Sequence, residues 1–156
     1  MSPSEKQIFL NLTPVQLMAL IVLGESEGEP WDGKLGVAFV IRNRADLWKQ
    51  TVPEVCLANN QFSCVNDGNA RLPTLVDIAR NFVGSDHPML SDCCSAARVA
   101  FVKEQPSNIG VSTFYRVTGA PSPWFESEIK AGKLKYCCEI GKQTWYEETR
   151  FLNKEA

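Results

Sequence analysis

The sequence predicts an α+β fold, mainly helical, with a small β element late in the chain. Two observations carry this expectation. Apolar residues recur at helical spacing from Leu17 to Phe101, broken where Gly and Pro stand. After Pro106 the composition changes. Val111–Val117, Leu134–Cys138 and Gln143–Tyr146 are rich in strand formers, and Gly141 stands at a turn between the last two. The chain has 156 residues, no internal repeat and no linker. A single domain over 1–156 is therefore expected, with its core at about 13–147.

The elements follow in order. Met1–Gln7 is polar and reads as a loose lead-in. Thr13-Pro14-Val15-Gln16 reads as a helix start: Thr13 caps, Pro14 fits the first helical position, and Gln16 closes a capping box. This helix runs to about Glu25 and is apolar nearly all round, so it belongs at the centre of the core. Gly28 and Pro30 end it, because Pro30 disfavours a helical Glu29. A second core helix is expected from Asp32 or Gly33 through Leu35 and Val37–Ile41, turning polar at Arg42-Asn43-Arg44. Val52–Leu57 suggests a short helix and Gln61–Cys64 a loop. Pro73–Val83 has apolar residues at helical spacing, and Ser91 is placed to cap a helix reaching Lys103. Gly119–Pro123 reads as a loop leading to Trp124-Phe125.

Bulk properties exclude several classes. A formal charge of −2 argues against a general nucleic-acid binder. The apolar stretch Ile8–Leu23 is interrupted by Asn11, Thr13, Pro14 and Gln16, whereas a membrane span needs about 20 mostly apolar residues. No stable membrane anchor and no secretory signal are expected. The six cysteines are Cys56, Cys64, Cys93, Cys94, Cys137 and Cys138. Their adjacent pairs lack the spacing of zinc sites, and His87 is the single histidine, so no metal is expected. The even count permits disulfides; without an export signal, buried free thiols are the expectation. His87 precedes Pro88 in a loop and has no orienting partner in sight, so a surface or structural role is expected. No cysteine stands out as a nucleophile to pair with it.

The chemistry concentrates in Leu23-Gly24-Glu25-Ser26-Glu27-Gly28-Glu29-Pro30, three alternate carboxylates after the most apolar run. Glu25 is the leading catalytic candidate. Apolar neighbours, a helix C-terminus, and the charges of Glu27, Glu29 and Asp32 all favour its protonated form. No Lys or Arg occurs between Gln7 and Lys34 to offset them. A neutral Glu25 suits protonation of a glycosidic oxygen, followed by service as a base. Glu27 and Glu29 read as solvated or loop-stabilising. Phe62, Tyr115, Trp124 and Trp145 fall in expected loops or short strands, where aromatic faces stack on sugar rings, although core packing is the usual fate of an aromatic. Gln61, Ser63 and Gln143 lie beside them and suit acetamido or hydroxyl groups.

These residues carry a family resemblance. Leu23–Ala38 resembles the opening motif of the SleB-like cell-wall hydrolases, which include spore-cortex-lytic enzymes and read like G-E-A-R-G-E-P-x-x-G-Q-x-A-V-A. Val40-Ile41-Arg42-Asn43-Arg44 is similar to the family's V-I-L-N-R. Thr51–Val55 and Gln61–Cys64 look like family segments, and Ile140–Tyr146 resembles an I-G-x-H-x-F-Y ending. Glu27 replaces an arginine of the motif, Gln143 a histidine and Trp145 a phenylalanine.

The resemblance implies a lysozyme-like fold acting on peptidoglycan glycan strands, with Glu25 as the acid and no cofactor. It further implies a lytic transglycosylase, in which the sugar's own 6-hydroxyl attacks the anomeric carbon and one glutamate serves as acid and base. Substrate contacts are expected from Gln61, Phe62, Ser63, Tyr115, Trp124 and Gln143. A water-using muramidase needs a second carboxylate, for which Glu29 is the reserve. A non-catalytic wall-binding module is the third possibility. The short single domain resembles a phage endolysin, expected to be a monomer held in the host bacterial cytoplasm until released to the cell wall or periplasm. An exported bacterial enzyme lacking its signal is the rival.

Overall fold

The computed structural model describes residues 1–152. Seven α-helices and a three-stranded sheet make up the described residues: α1 Pro3–Leu10, α2 Pro14–Ser26, α3 Trp31–Trp48, α4 Val52–Leu57, α5 Leu72–Arg80, α6 Leu90–Val102, β1 Phe114–Val117, α7 Pro123–Lys130, β2 Leu134–Ile140 and β3 Gln143–Glu148. This is the mainly helical α+β architecture read from the sequence.

Helix α2 is the axis of the molecule. Thr13 caps it through a complete capping box with Gln16, and Pro14 occupies its first turn. Every residue from Leu17 to Gly24 is buried. An all-round apolar helix must be enclosed on every side, and α6 and α3 pack most extensively against it, with α4 and α5 closing the remainder. Helix α3 starts at Trp31, with Pro30 at its cap position, and continues past the polar Arg42–Arg44 to Trp48. It stays helical there because Arg44 continues the buried stripe of Val37, Val40 and Ile41 at i+3 and i+4 spacing.

Four local expectations need correction. Met1–Gln7 is not a loose lead-in: Ser2 and Glu5 form a second capping box, and Pro3–Leu10 is helical, seating Phe9 in the core. Ser91 does not cap α6, which begins one residue earlier with Met89 at its cap. Ser63–Val65 forms a 3-10 turn inside the expected loop. Trp124-Phe125 belongs to α7, with Ser122 accepting from the Phe125 N–H and Pro123 in the first turn.

The sheet is antiparallel with order β1-β3-β2. Tyr115 lies opposite Trp145, and Cys138 faces Trp145 from the other side across a bulge at Cys137. Trp145 is fully buried, and its indole lies where a Cβ on Gly36 would stand, 2.7 Å from it. Gly36 thus lets the sheet dock directly on α3. A smaller apolar cluster of Phe125, Leu134 and Tyr146, with Phe114 against it, seats α7 on the same sheet. All six cysteines carry free thiols, and Cys56, Cys64 and Cys93 are buried. No helix among the described residues is long and apolar enough to cross a membrane.

Candidate active site

Glu25 lies in the last turn of α2, half-buried, where the apolar axis of the fold reaches a surface cavity of about 430 Å³. Both carboxylate oxygens are held. The Tyr115 hydroxyl donates to Oε1 at 2.7 Å, and the Cys64 backbone N–H donates to Oε2 at 3.2 Å. Three separate parts of the chain therefore meet on one side chain: the helical axis, the 3-10 turn and the sheet. Gly24 makes the second contact possible. A Cβ there would lie 2.7 Å from Cys64 Cβ and Sγ, so only glycine lets the turn approach α2 this closely.

Tyr115 is fixed by its neighbours. Its ring packs on Trp145 with centroids 4.8 Å apart. Enclosure of the hydroxyl and the adjacent Glu25 carboxylate push the phenol well above its ordinary ionisation range. It is a permanent donor to Glu25. The Cys64 thiol is likewise pushed up by burial and by Glu25, so it stays protonated.

The cavity is lined by Glu25, Arg44, Gln61, Ser63, Tyr115 and Trp124, together with Asn60, Phe114 and Phe125. Of the expected site residues, the fold thus gathers Glu25, Gln61, Ser63, Tyr115 and Trp124. Trp124 is 48% exposed and stands on Phe114 and Phe125 at 5.0 and 5.1 Å, an aromatic platform at the rim. Glu25 is the one carboxylate in this wall among the described residues.

The other expected site residues stand elsewhere. Phe62 is fully buried and packs beneath Arg44, with its ring centroid 4.8 Å from the guanidinium carbon. Its apolar ring serves the core below the cavity. Gln143 begins β3, paired in register with Val117 and Ile140, and does not line the cavity. Glu29 turns toward the β2–β3 turn, where Oε1 accepts from the Lys142 N–H at 3.4 Å and lies 2.8 Å from the Cβ position of Gly141. It supports that turn and does not line the cavity with Glu25.

The acidic surroundings expected of Glu25 are also revised. Glu27 meets Arg71 at 3.5 Å and His87 Nε2 at 3.9 Å. Arg71 also donates to the Leu23 carbonyl at 3.3 Å. The buried Lys34 ammonium folds back onto the carbonyls of Glu27, at 3.0 Å, and Glu29. Arg71 lies far along the chain and Lys34 folds back from α3, so charge counting within the acidic segment does not reveal their approach. His87 has the structural place expected of it: Nδ1 accepts from the Met89 N–H at 3.2 Å.

Arg44 is the site residue that sequence reasoning missed. It is 3% exposed, donates from Nε to the Thr113 carbonyl at 2.8 Å, and is ringed by Trp48, Phe62 and Phe114 at 4.8–5.2 Å. Burial lowers its pKa to about 10. Among the described residues, Nη1 has no hydrogen-bond partner. The nearby Glu148 carboxylate is occupied by the Trp48 indole N–H and the Thr113 hydroxyl, both at 2.7 Å, and by Arg150. The signal was an arginine on the core-facing stripe of α3.

A family model described as Cell Wall Hydrolase matches residues 28–146. Glu25 stands just upstream of this range. A spore cortex-lytic enzyme of Oceanobacillus iheyensis is 45% identical over 56 residues, which is 35% of this chain and 20% of the relative. A spore cortex-lytic enzyme of Bacillus cereus is 43% identical over 60 residues, 37% of this chain and 23% of the relative. These matches span about a fifth of the length of the curated relatives. Among solved structures, the catalytic domain of the germination-specific lytic transglycosylase SleB from Bacillus anthracis superposes with a TM-score of 0.63 at 23% identity, covering 88% of this chain and 98% of that one. The catalytic domain of the Bacillus cereus SleB protein superposes with a TM-score of 0.60 at 26% identity, covering 86% and 89%. The fold is that of these domains.

Proposed function

The chain belongs to the cell wall hydrolase family, and from that premise we propose that it is a lytic transglycosylase of peptidoglycan with Glu25 as its single acid and base. One observation carries the choice. Glu25 is the only carboxylate in the cavity wall among the described residues, while Glu29 is engaged at the β2–β3 turn. Two-carboxylate mechanisms need a pair about 5–9.5 Å apart across the scissile bond. A mechanism that regenerates one group fits a site that presents one.

The reaction follows from that group. Protonated Glu25 gives its proton to the oxygen linking MurNAc to GlcNAc. The anomeric carbon–oxygen bond breaks, and GlcNAc leaves with a free 4-hydroxyl. The carboxylate so formed is held by the Tyr115 hydroxyl and the Cys64 N–H, fixed donors that need no reorganisation as charge develops. The MurNAc 6-hydroxyl then attacks the anomeric carbon, and its proton passes to Glu25. The ring closes as an anhydro sugar, Glu25 is protonated again, and no water is consumed. Trp124 offers the face on which a sugar ring stacks, and Gln61 and Ser63 offer polar groups for its substituents.

Mass spectrometry of digested peptidoglycan tests the proposal. Anhydro-muropeptides are expected. Reducing ends would transfer the assignment to a muramidase, and intact glycan to a binding module. Delivery in the manner of a phage endolysin is a second layer of the proposal. Expression in a bacterial host with and without a separate pore-forming protein tests it: lysis is expected only with the pore, and lysis without it would indicate export.

A further inference from the structure

Adjacent cysteines occur twice in this chain, and the fold treats the two pairs differently. Cys93-Cys94 stands on α6, where successive side chains diverge by about 100°. Cys93 is buried in the core there, and Cys94 is half-buried. Cys137-Cys138 stands on β2, an edge strand of the sheet, and both residues are half-buried. In an unbroken strand their side chains would point to opposite faces. The bulge prevents this, because Cys137 is the extra residue between Tyr136, opposite Tyr146, and Cys138, opposite Trp145. The two sulfurs meet consecutive carbonyls of one loop. Cys137 Sγ donates to the Ile109 oxygen at 3.2 Å, and Cys138 Sγ lies 3.9 Å from that of Asn108. Exposed Gly110 stands beside Cys137, and a Cβ there would lie 3.4 Å from the sulfur. Its missing side chain leaves the sulfur open to a small molecule. The same loop leads to the wall of the Glu25 cavity. Asn43 donates to the Gly110 and Ser112 carbonyls at 3.1 and 2.9 Å, Arg44 holds the Thr113 carbonyl, and β1 with Tyr115 follows. Cys138 itself faces Trp145, on which Tyr115 rests.

We propose that Cys137 and Cys138 are a reversible dithiol–disulfide pair, oxidised by small disulfides, and that closing the pair slows cleavage at Glu25. The second half rests on the function proposed above; the first does not. Burial, followed by the neighbouring Cys137, raises the Cys138 thiol above its ordinary range, so the first attack falls to Cys137. Its thiolate attacks one sulfur of the small disulfide, whose S–S bond breaks and releases one thiolate. Cys138 then attacks the Cys137 sulfur and expels the second. The protein pair loses two electrons and two protons, and the small disulfide gains both as two thiols. Adjacent Cα atoms are about 3.8 Å apart, short of the roughly 4.4–6.8 Å usual for a disulfide. A bond closed under that strain is easily reduced, which makes the change reversible. Closure also removes the S–H donated to Ile109 and draws the strand together directly opposite Trp145, so the seat of Tyr115 shifts.

Oxidised glutathione is the probe. The folded wild-type protein is equilibrated with it, trapped with N-ethylmaleimide and digested with trypsin. Cleavage after Lys135 and Lys142 isolates Cys137 and Cys138 on one peptide, and cleavage after Arg80 and Arg98 isolates Cys93 and Cys94 on another. The first peptide is expected to lose two hydrogens and take up no maleimide, while the second keeps its thiols. A glutathione adduct or two trapped thiols at Cys137-Cys138 would overturn the pair, as would equal closure of both pairs. Muropeptide release by the oxidised protein is expected to fall about three- to tenfold, the loss of one modest support, and to return with dithiothreitol. Cys137→Ser is expected to keep its rate when the oxidant is added. A closed pair with an unchanged rate would overturn the control of cleavage. No cleavage by the reduced protein would instead remove the proposed function, while the peptide masses would still decide the pair.

Discussion

The Tyr115 hydroxyl reaches Glu25 Oε1 at 2.7 Å, joining the last turn of the central helix to the first strand of the sheet across 90 positions of sequence. Tyr115 in turn rests on Trp145, which itself packs against Gly36. The position of the proposed acid therefore depends on how the sheet docks on the helices.

Replacing Glu25 by Gln is expected to remove cleavage while keeping the fold, because glutamine retains the acceptor toward Tyr115 and the side chain is only half-buried. Loss of the acid and base corresponds to about 10²- to 10⁴-fold in rate. Release of soluble muropeptides, with the melting temperature as control, measures it. Full activity in E25Q would end the assignment.

Tyr115→Phe keeps the ring on Trp145 and deletes one donor to a charged group. Such a bond contributes about 1.5–3 kcal/mol, so kcat should fall about ten- to hundredfold with little change in KM. A change confined to KM would make Tyr115 a substrate contact rather than a support for Glu25.

Glu29→Gln separates the one- and two-carboxylate mechanisms. The side chain supports the Gly141-Lys142 turn from outside the cavity. Activity within about threefold of wild type is expected, as for removal of one modest hydrogen bond. The product should remain the anhydro sugar. A collapse of rate in E29Q without loss of stability would restore the muramidase reading.

Gly24→Ala places a methyl group 2.7 Å from Cys64 Cβ and Sγ. Overpacking of this kind costs about 1–3 kcal/mol. The displaced turn also carries the N–H that holds Glu25 Oε2. Thermal unfolding should shift down and activity should fall further than stability explains. Unchanged values of both would show that the turn yields freely.

Alkaline pH should loosen the fold through its thiols. Burial pushes the Cys93 thiol from an ordinary 9.0 up to about 12. A folded pKa above the unfolded one means that the folded state holds the proton longer. The stabilising contribution is complete below pH 9.0 and is lost as pH rises toward about 12. Cys56 and Cys64 are shifted in the same direction by burial. The urea midpoint should therefore decline above pH 9.0, and less steeply in Cys93→Ala. A flat profile would contradict the burial of these groups.

Most of this architecture was readable because local chemistry and burial agree. Thr13, Pro14 and Gln16 announce α2, and its uninterrupted apolar run announces its central place. Helix α1 was missed although Ser2, Pro3 and Glu5 carry the same start signal, because its surface is mostly polar. Helix α7 was missed because Pro121-Ser122-Pro123 reads as a turn, yet Ser122 and Pro123 are also a cap and a first helical residue. At the site, Glu25 follows from the helix that presents it, and Gln61, Ser63 and Trp124 from stretches that read as loops, although Ser63 stands in a 3-10 turn and Trp124 in α7. The partners of Glu27 did not follow, since Arg71 and His87 reach it through tertiary packing. Arg44 was hidden within a polar-looking triplet whose helical phase, rather than its composition, places it in the core.

The sheet order has a consequence in time. Its central strand, β3, is the last of the three in sequence. A ribosome therefore delivers Glu25 and the helices that bury it long before the strand that seats Tyr115. Until Trp145 emerges, β1 has no partner to pair with, and the tyrosine has no surface to rest on. The nascent chain thus carries the proposed proton donor without the contacts that hold it, and those contacts form only once β3 has emerged.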